Sequence, residues 1–269
     1  MERKAPNPQP KGTDIVYVVG GAPKHNDQTL RWSLRSLEKF GRNVGRVIVA
    51  GRIPEWVSGE VVQVPVAEPP PPSDIWLVKH RNILNCIFAA IGCCGIEGDF
   101  LYSSDDHFLM RKVDFADYPV YLRGERIETY AEYQKRTGKS NKWRQSLSDT
   151  RDLLERNGYN AAYFAFHANT HMDARDAAEV KRLAEQEPVA MYGYEPTCLF
   201  LNVKLKRDPR MHIVPRRDFK VKKFHGEQSL MARLGDLDSF SCGDRVFETT
   251  GFQQMMDKLF QKPCKWEVE

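Results

Sequence analysis

The sequence predicts a single α/β domain in which helices flank a mostly parallel central sheet. Three observations support this prediction. The chain has 269 residues, which is enough to bury one sizeable core. Short β-branched runs alternate with amphipathic stretches, a pattern typical of parallel strands covered by helices. No internal repeat or coiled-coil heptad interrupts it. Residues 1–12 are polar and rich in proline, so we expect a flexible tail before a domain at 13–269.

The chain opens with a predicted β-α-β unit. A β-branched run at 14–21 ends in two glycines, which indicates a buried strand and a loop that faces a ligand. Leucines spaced for one helix face follow, with Asn26 and Asp27 as candidate caps and Gly41 as the stop. A second strand is predicted at 46–51, and a crossover of this kind makes the two strands parallel.

The remaining elements follow from the same patterns. They are predicted as a strand at 61–66, a proline-rich loop at 68–74, a helix at 79–91, a strand at 100–103, a helix at 146–157, a strand at 162–166, a helix at 174–185, a strand at 198–203 and a helix at 252–260.

Composition excludes several classes of protein. No apolar run is long enough to cross a membrane and the start lacks a signal-peptide pattern, so we expect a cytoplasmic protein with reduced cysteines. The formal net charge is only +4, but nine basic and two acidic residues lie between Lys204 and Lys223. This stretch could attract a polyanion, or it could be an ordinary solvated face.

A pair of carboxylates provides the main chemical signal. Asp105 and Asp106 directly follow the strand predicted at 100–103. In open α/β sheets ligands bind at the carboxyl ends of strands, where the loop at Val19, Gly20 and Gly21 should also lie. Adjacent carboxylates suit Mg²⁺ or Mn²⁺, which in turn binds a diphosphate. The alternative is that the aspartates only cap a turn.

Three further polar clusters could bind or react with a substrate. Each also has a plain structural explanation, as a solvated first turn of a helix or as hydrogen-bonding loop residues. The clusters are Lys79, His80, Arg81 and Asn82 for phosphate binding; His167, His171 and Asp173 for acid-base chemistry; and His225 with Glu227 as a metal ligand and a base.

Several segments, in order, resemble the Stealth family of sugar-phosphate transferases. Asn26-Asp27-x-x-Leu30-Arg31-x-Ser33-Leu34-Arg35-Ser36-Leu37-Glu38 is similar to that family's N-[DE]-E-L-R-Y-S-L-R-S-L-E segment. Ile53-Pro54-x-Trp56 matches its I-P-x-W, and the run from Phe100 to Leu109 resembles F-I-Y-x-N-D-D-x-F-L. His167 to Asp173 resembles H-x-P-H-x-x-D, with Asn169-Thr170 replacing Pro-His.

The resemblance implies a GT-A-like domain that binds a nucleotide-sugar donor, most simply a UDP-sugar. It further implies a Mn²⁺ or Mg²⁺ site at Asp105 and Asp106. We add His225 as a candidate third ligand, and we expect Arg31, Lys79, Arg81 and Asn82 near the donor phosphates.

The first functional hypothesis is therefore metal-dependent transfer of a sugar to a hydroxyl. An inverting reaction needs a base, for which Glu227 and Asp173 are candidates and His171 an acid-base alternative. The predicted acceptor is a polyanion, specifically DNA with a hydroxymethylated base that is flipped out. The residues predicted to bind it are Arg210, Arg216, Arg217, Lys220, Lys222 and Lys223.

Two alternatives remain open. One is the Stealth reaction itself, in which a hexose 1-phosphate passes to a capsular or cell-surface glycan and a nucleoside monophosphate is released. The other is a non-catalytic nucleic-acid-binding module. Against that module, the chain has no helix-turn-helix, zinc-finger or RNP pattern.

Overall fold

The computed structural model describes residues 12–20, 27–67, 79–164, 169–186, 193–215 and 219–268. The strands are β1 (Thr13–Val19), β2 (Gly41–Arg42), β3 (Val44–Gly51), β4 (Val62–Pro65), β5 (Asp99–Ser104), β6 (His107–Leu109), β7 (Val113–Asp114), β8 (Val120–Leu122), β9 (Thr170–Asp173), β10 (Ile213–Pro215), β11 (Lys220–Val221) and β12 (Ser239–Cys242). The α-helices are α1 (Gln28–Phe40), α2 (Lys79–Cys94), α3 (Tyr130–Thr137), α4 (Lys142–Arg156), α5 (Ala177–Ala184), α6 (Pro196–Arg207), α7 (Glu227–Leu234), α8 (Asp244–Phe247) and α9 (Thr250–Leu259).

A mostly parallel sheet forms the centre of the molecule, as the sequence predicts. Its five strands lie in the order β4-β3-β1-β5-β9. The first four run parallel, and β9 is an antiparallel edge strand. Parallel strands of this kind are buried on both faces, which explains why β1 and β3 are continuous apolar runs rather than alternating ones.

The strand order reverses direction at β1. From β1 the chain builds outwards to β3 and β4 on one side, and then crosses through α2 to place β5 on the other side. The carboxyl ends of β1 and β5 therefore flank a topological switch point, the position at which open α/β sheets bind ligands.

Helices cover both faces of the central sheet. On one face, Leu84 of α2, Leu153 of α4, Val180 of α5 and Phe200 of α6 belong to a single buried cluster. On the other face, Leu30 of α1 packs in a second cluster with Trp266 from the end of the chain. The arrangement is the predicted three-layer sandwich.

A smaller sheet, in the order β11-β12-β6, packs against the outer side of α1. Trp32 of α1 joins Phe108, Phe240 and Phe252 in a third apolar cluster. The helix also bonds to the backbone of β6, because Ser33 Oγ donates to the His107 carbonyl at 2.6 Å and Leu109 N donates to Ser36 Oγ at 3.0 Å. β6 follows the carboxylate pair directly, so these bonds fix the turn that holds it.

The structure corrects two predicted strands, at 198–203 and, in its described part, at 162–166. Residues 198–203 form part of helix α6 and not a strand. Glu195 caps this helix by accepting from Cys198 N at 2.8 Å, and Pro196 begins it. Because every residue from Pro196 to Lys204 is buried, the run lacks the periodicity that distinguishes a surface helix from a buried strand.

The strand predicted at 162–166 is also not formed in its described part, 162–164. There the side chain of Asn202 bonds to both backbone groups of Ala162 at 2.9 Å, and Tyr163 makes only an isolated bridge to Gly124. The predicted cap Asp27 has a left-handed φ of 57° and makes no capping bond. Its carboxylate instead accepts from Arg52 Nη1 at 2.9 Å.

Some predictions lie outside the described residues: the tail to residue 11, Asn26, and the proline-rich loop. The other predicted helices and strands occur near their expected positions. Within the described part of the chain, no helix has the length and apolar character that crossing a bilayer requires.

Candidate active site

Asp105 and Asp106 occupy the turn between β5 and β6, at the switch point of the central sheet. In the register of the two strands, Ser104 lies beside Val18, so the pair is next to Val19 and Gly20 at the end of β1. The structure therefore brings together the carboxylates and two of the three predicted loop residues. Gly21 lies outside the described residues.

Short polar contacts orient the two carboxylates. Thr29 Oγ1, in the first turn of α1, donates to Asp105 Oδ2 at 3.4 Å. Ser104 Oγ donates to Asp106 Oδ1 at 2.6 Å. Lys220 Nζ, from β11, lies 3.8 Å from Asp106 Oδ2. Two elements distant in sequence, α1 and β11, therefore converge on the pair, together with its own neighbour Ser104.

The ionised form of Asp105 is disfavoured at this site. Burial, and then the neighbouring Asp106 charge, raise the pKa of Asp105 to about 6, although Lys79 and the Thr29 hydroxyl oppose the shift. A carboxyl with this pKa is mostly ionised at neutral pH, although its ionised form is destabilised. A cation placed between the two aspartates would reduce the repulsion between their negative charges.

Two helices begin at this site. Thr29 places the N-terminus of α1 against Asp105, and Lys79, the first residue of α2, lies close enough to lower the pKa of Asp105. Helix N-termini present unpaired N–H groups and a partial positive charge, which suit phosphate oxygens. Arg81 is exposed and Asn82 is half-buried in the same first turn of α2.

His80, in contrast, is a structural residue. It is buried, and its Nδ1 lies 3.1 Å from the Gly193 carbonyl and 3.2 Å from Ser146 Oγ. The first turn of α2 is thereby tied to the segment that precedes α6 and to α4. Gly193 has a φ of 79°, and a Cβ there would lie 2.9 Å from Arg81 N and 3.0 Å from His80 Cβ.

We expect Gly193→Ala to weaken both the fold and donor binding. The left-handed backbone and the clash with α2 should reduce the free energy of unfolding by roughly 1 to 3 kcal/mol. The clash should also displace Lys79 and Arg81, and so raise KM for the donor several-fold. Thermal melting and donor titration measure the two effects. Gly59→Ala is the matched control, since a Cβ at Gly59 meets nothing within 4 Å; equal behaviour of the two variants would contradict the prediction.

The described residues offer two metal ligands rather than three. Among them, no group of three or more His, Cys, Asp or Glu side chains is close enough to hold a metal ion. His225 is exposed between β11 and α7, and Glu227 is exposed as the first residue of α7; within the described residues neither bonds to Asp105 or Asp106. His225 thus does not complete the predicted metal site. Two carboxylates still fit Mg²⁺ or Mn²⁺, which bind one or two of them together with substrate phosphates and water.

Arg31 faces away from the site, contrary to prediction. It lies two positions after Thr29, and residues so spaced point to different sides of a helix. Arg31 Nη1 bonds to Glu267 Oε2 at 2.7 Å, and its guanidinium lies 4.1 Å from the centre of the Trp56 ring. Arg35 Nε also bonds to Glu267, at 2.6 Å. The two arginines of the motif therefore fasten the end of the chain to α1.

Asp173 lies at the wrong end of the sheet to act as a base. It pairs with Asp99, the first residue of β5, so about 17 Å of strand separates it from Ser104. Asp173 is fully buried, which raises its pKa, but hydrogen bonds from Arg175 and then the charge of Arg207, 2.6 Å away, outweigh burial and lower the pKa. Its role is structural.

His171 is also offset from the pair. It lies opposite Leu101, about 10 Å back along β5 from Ser104, and its ring is 5.8 Å from that of Tyr118. Burial lowers the pKa of His171 to about 4, so the imidazole is neutral at neutral pH and a weak base. His167, from the same predicted cluster, lies outside the described residues.

Several basic residues of the predicted stretch are engaged within the described part of the fold. Lys204 is buried and pairs with Asp99, Arg207 pairs with Asp173 and Asp176, and Lys206 packs 4.3 Å from the Tyr159 ring centre. Lys220 turns towards Asp106. Arg210, Lys222 and Lys223 are exposed, and Arg216 and Arg217 lie outside the described residues.

Sequence reasoning missed several residues around the pair. Thr29, Ser104 and Lys220 contact it directly. Tyr102 precedes Asp105 by three residues on β5, and burial, followed by the charges of Glu195, Asp106 and Asp105, raises its pKa. The helix-first-turn position of Thr29 was a usable signal. Nothing local marks Glu195, which is 90 residues further along the chain than Asp105.

No protein-family model matches the chain, and no curated protein matches it either.

Proposed function

We propose that the chain is a metal-dependent glycosyltransferase of the GT-A type, with a nucleotide-sugar donor bound at Asp105 and Asp106. The observation that supports this most directly is the position of the carboxylate pair. It lies at the topological switch point, between the N-termini of α1 and α2 and opposite Lys220. Oxygen ligands, helix N-termini and lysines are groups that suit a diphosphate held by a divalent cation.

The pair fits Mn²⁺ or Mg²⁺ by the chemistry of its donor atoms and by the unfavourable charge that a cation would neutralise. When bound, the cation supplies Lewis-acid stabilisation of a departing nucleoside diphosphate. Thr29 and Ser104 fix the two carboxylates for this purpose. Lys79 and Lys220 add positive charge on either side of the pair, where phosphate charge would develop.

The ordered resemblance to the Stealth family supports a sugar donor over other diphosphates. Its Asp-Asp segment falls on the switch-point turn, and its helix motif falls on α1, whose first turn contacts Asp105. We propose Glu227 as the base of an inverting reaction. Tyr102, whose phenol is protonated at neutral pH, is a candidate donor of a hydrogen bond to the substrate.

Product identification tests the proposal. The protein is incubated with Mn²⁺, a panel of nucleotide sugars including UDP-sugars, and either DNA that contains hydroxymethylcytosine or simple glycans. We expect a nucleoside diphosphate and a hexose-modified acceptor, both identified by mass. Release of a nucleoside monophosphate with a phosphosugar product would instead indicate the Stealth reaction, and no donor turnover under any condition would overturn the proposal.

A further inference from the structure

A row of polar side chains crosses the small sheet next to the carboxylate pair. In the register of the strands, Lys220 of β11 lies beside Ser241 of β12, and Ser241 lies opposite His107 of β6. Residues paired in this way project from the same face of a sheet. His107 directly follows Asp106, and Lys220 Nζ lies 3.8 Å from Asp106 Oδ2. The row therefore adjoins the candidate active site.

The opposite face of this sheet is apolar. Successive side chains of a strand point to opposite faces, so the residues next to those of the row lie on the other side. These neighbours belong to the third apolar cluster, and they are Phe108, Val221, Phe240 and Cys242. Packing of that cluster explains the apolar face of the sheet, but it does not explain why the row is polar.

Ser241 is the member of the row that calls for an explanation. The residue is 1% exposed, and within the described part of the chain its Oγ has no hydrogen-bond partner. A buried hydroxyl without a partner destabilises the folded state, and native proteins contain few such groups. A ligand that binds beside the carboxylate pair would supply the missing partner.

The Lys220 side chain lies beside the end of β12. Its Cε is 3.8 Å from the position that a Cβ would take at Gly243, two residues after Ser241. The Lys220 side chain is 27% exposed, so its ammonium group lies between the buried row and solvent. A lysine has a long flexible stem and a compact charge, so this group can turn towards an anion while the backbone stays in place.

We propose that Lys220 and Ser241 together bind the diphosphate of the donor nucleotide. The ammonium group supplies charge, and the hydroxyl donates a hydrogen bond to a phosphate oxygen. A phosphate that draws Lys220 towards it gives access to the hydroxyl beside it. Phosphate is the chemistry that fits, because both groups donate hydrogen bonds and the adjacent carboxylates suit a cation shared with phosphate. The inference rests on the proposed function in one respect, namely that a diphosphate binds at Asp105 and Asp106.

Calorimetric titration with inorganic pyrophosphate and Mn²⁺ tests this binding without any sugar transfer. Wild type is compared with Ser241→Ala, with Lys220→Gln and with the double variant. We expect Ser241→Ala to weaken binding roughly tenfold or more, because a hydrogen bond to a charged group is lost. Since both side chains bind one diphosphate, the double variant should lose less affinity than the product of the two single losses.

Thermal melting in a chelator provides a second readout on the same variant. Removal of a buried hydroxyl that lacks a partner should leave the melting temperature of Ser241→Ala at or above that of wild type. Ser239→Ala is the matched control. Ser239 is also buried on β12, but it lies opposite Leu109 and therefore further from Asp106. We expect this control to bind pyrophosphate as wild type does.

The outcomes separate this inference from the proposed function. Wild-type affinity in Ser241→Ala, an equal loss of affinity in Ser239→Ala, or melting of Ser241→Ala below wild type would overturn the inference alone. Weakened pyrophosphate binding in Ser241→Ala without any sugar transfer by wild type would support the inference and overturn the proposed function. A wild-type protein that binds no pyrophosphate in the presence of Mn²⁺ would overturn both.

Discussion

Replacing Asp106 with asparagine is expected to reduce sugar transfer by about 1,000-fold or more while the fold remains intact. The substitution removes one of two carboxylates that would hold the cation, and an amide oxygen is a much weaker ligand for Mn²⁺ or Mg²⁺. The structural contact survives, since asparagine can still accept the hydrogen bond that Ser104 Oγ donates. Steady-state kinetics with the donor identified by the product assay measures the effect.

Asp236→Asn is the control for this prediction. Its side chain is 95% exposed and pairs only loosely with Arg111, at 3.9 Å. Asp236→Asn should melt within about 2 °C of wild type, as surface substitutions do. Asp106→Asn should melt no lower than wild type, because it removes a charge that opposes ionisation of Asp105. Activity within a few-fold of wild type in Asp106→Asn would refute the metal assignment, whatever the reaction proves to be.

Asp105→Asn is expected to stabilise the free protein at neutral pH. The folded-state pKa of Asp105 is raised from 3.8 to about 6, so the folded protein binds more protons than the unfolded chain between these values. Stability therefore falls as pH rises through this window, and above pH 6 the ionised carboxylate contributes its full penalty. A neutral amide removes that penalty, which amounts to roughly 1 to 3 kcal/mol.

Thermal melting in a chelator at pH 4.0, 5.0 and 7.5 measures this effect. The variant should melt roughly 3 to 10 °C above wild type at pH 7.5 and about equally at pH 4.0. Added Mn²⁺ should raise the melting temperature of wild type and leave the variant unchanged. A variant that melts below wild type at pH 7.5 would show that the ionised Asp105 side chain stabilises the fold, which contradicts the prediction.

Gain of stability on loss of a functional group is the usual sign of a site built for a ligand. Here the unfavourable ionisation of Asp105 has a local cause. The turn between β5 and β6 places two carboxylates side by side, and α1 packs over them. The same geometry explains why Lys220 is close: β11, β12 and β6 form one small sheet, and β6 begins at the residue after Asp106.

Local sequence patterns predicted the central sheet well. The β1, β3 and β4 runs are short, apolar and β-branched, and each is a parallel strand within two residues of its expected bounds. The helix α6 was mistaken for a strand because it is buried on all sides, so its sequence shows neither period 3.6 nor period 2. Burial on all sides is a tertiary property that a local pattern does not reveal.

The candidate site likewise combines residues that local patterns predict with residues that only the tertiary structure reveals. The sequence by itself determined that a carboxylate pair, a loop at the end of β1 and a basic helix start would meet, because parallel strands end at one edge of a sheet. Only the tertiary structure decided which charged side chains join them. Helix phase directs Arg31 towards Glu267, and antiparallel register places Asp173 beside the far end of β5. The pairing of distant strands brings Lys220 close to Asp106.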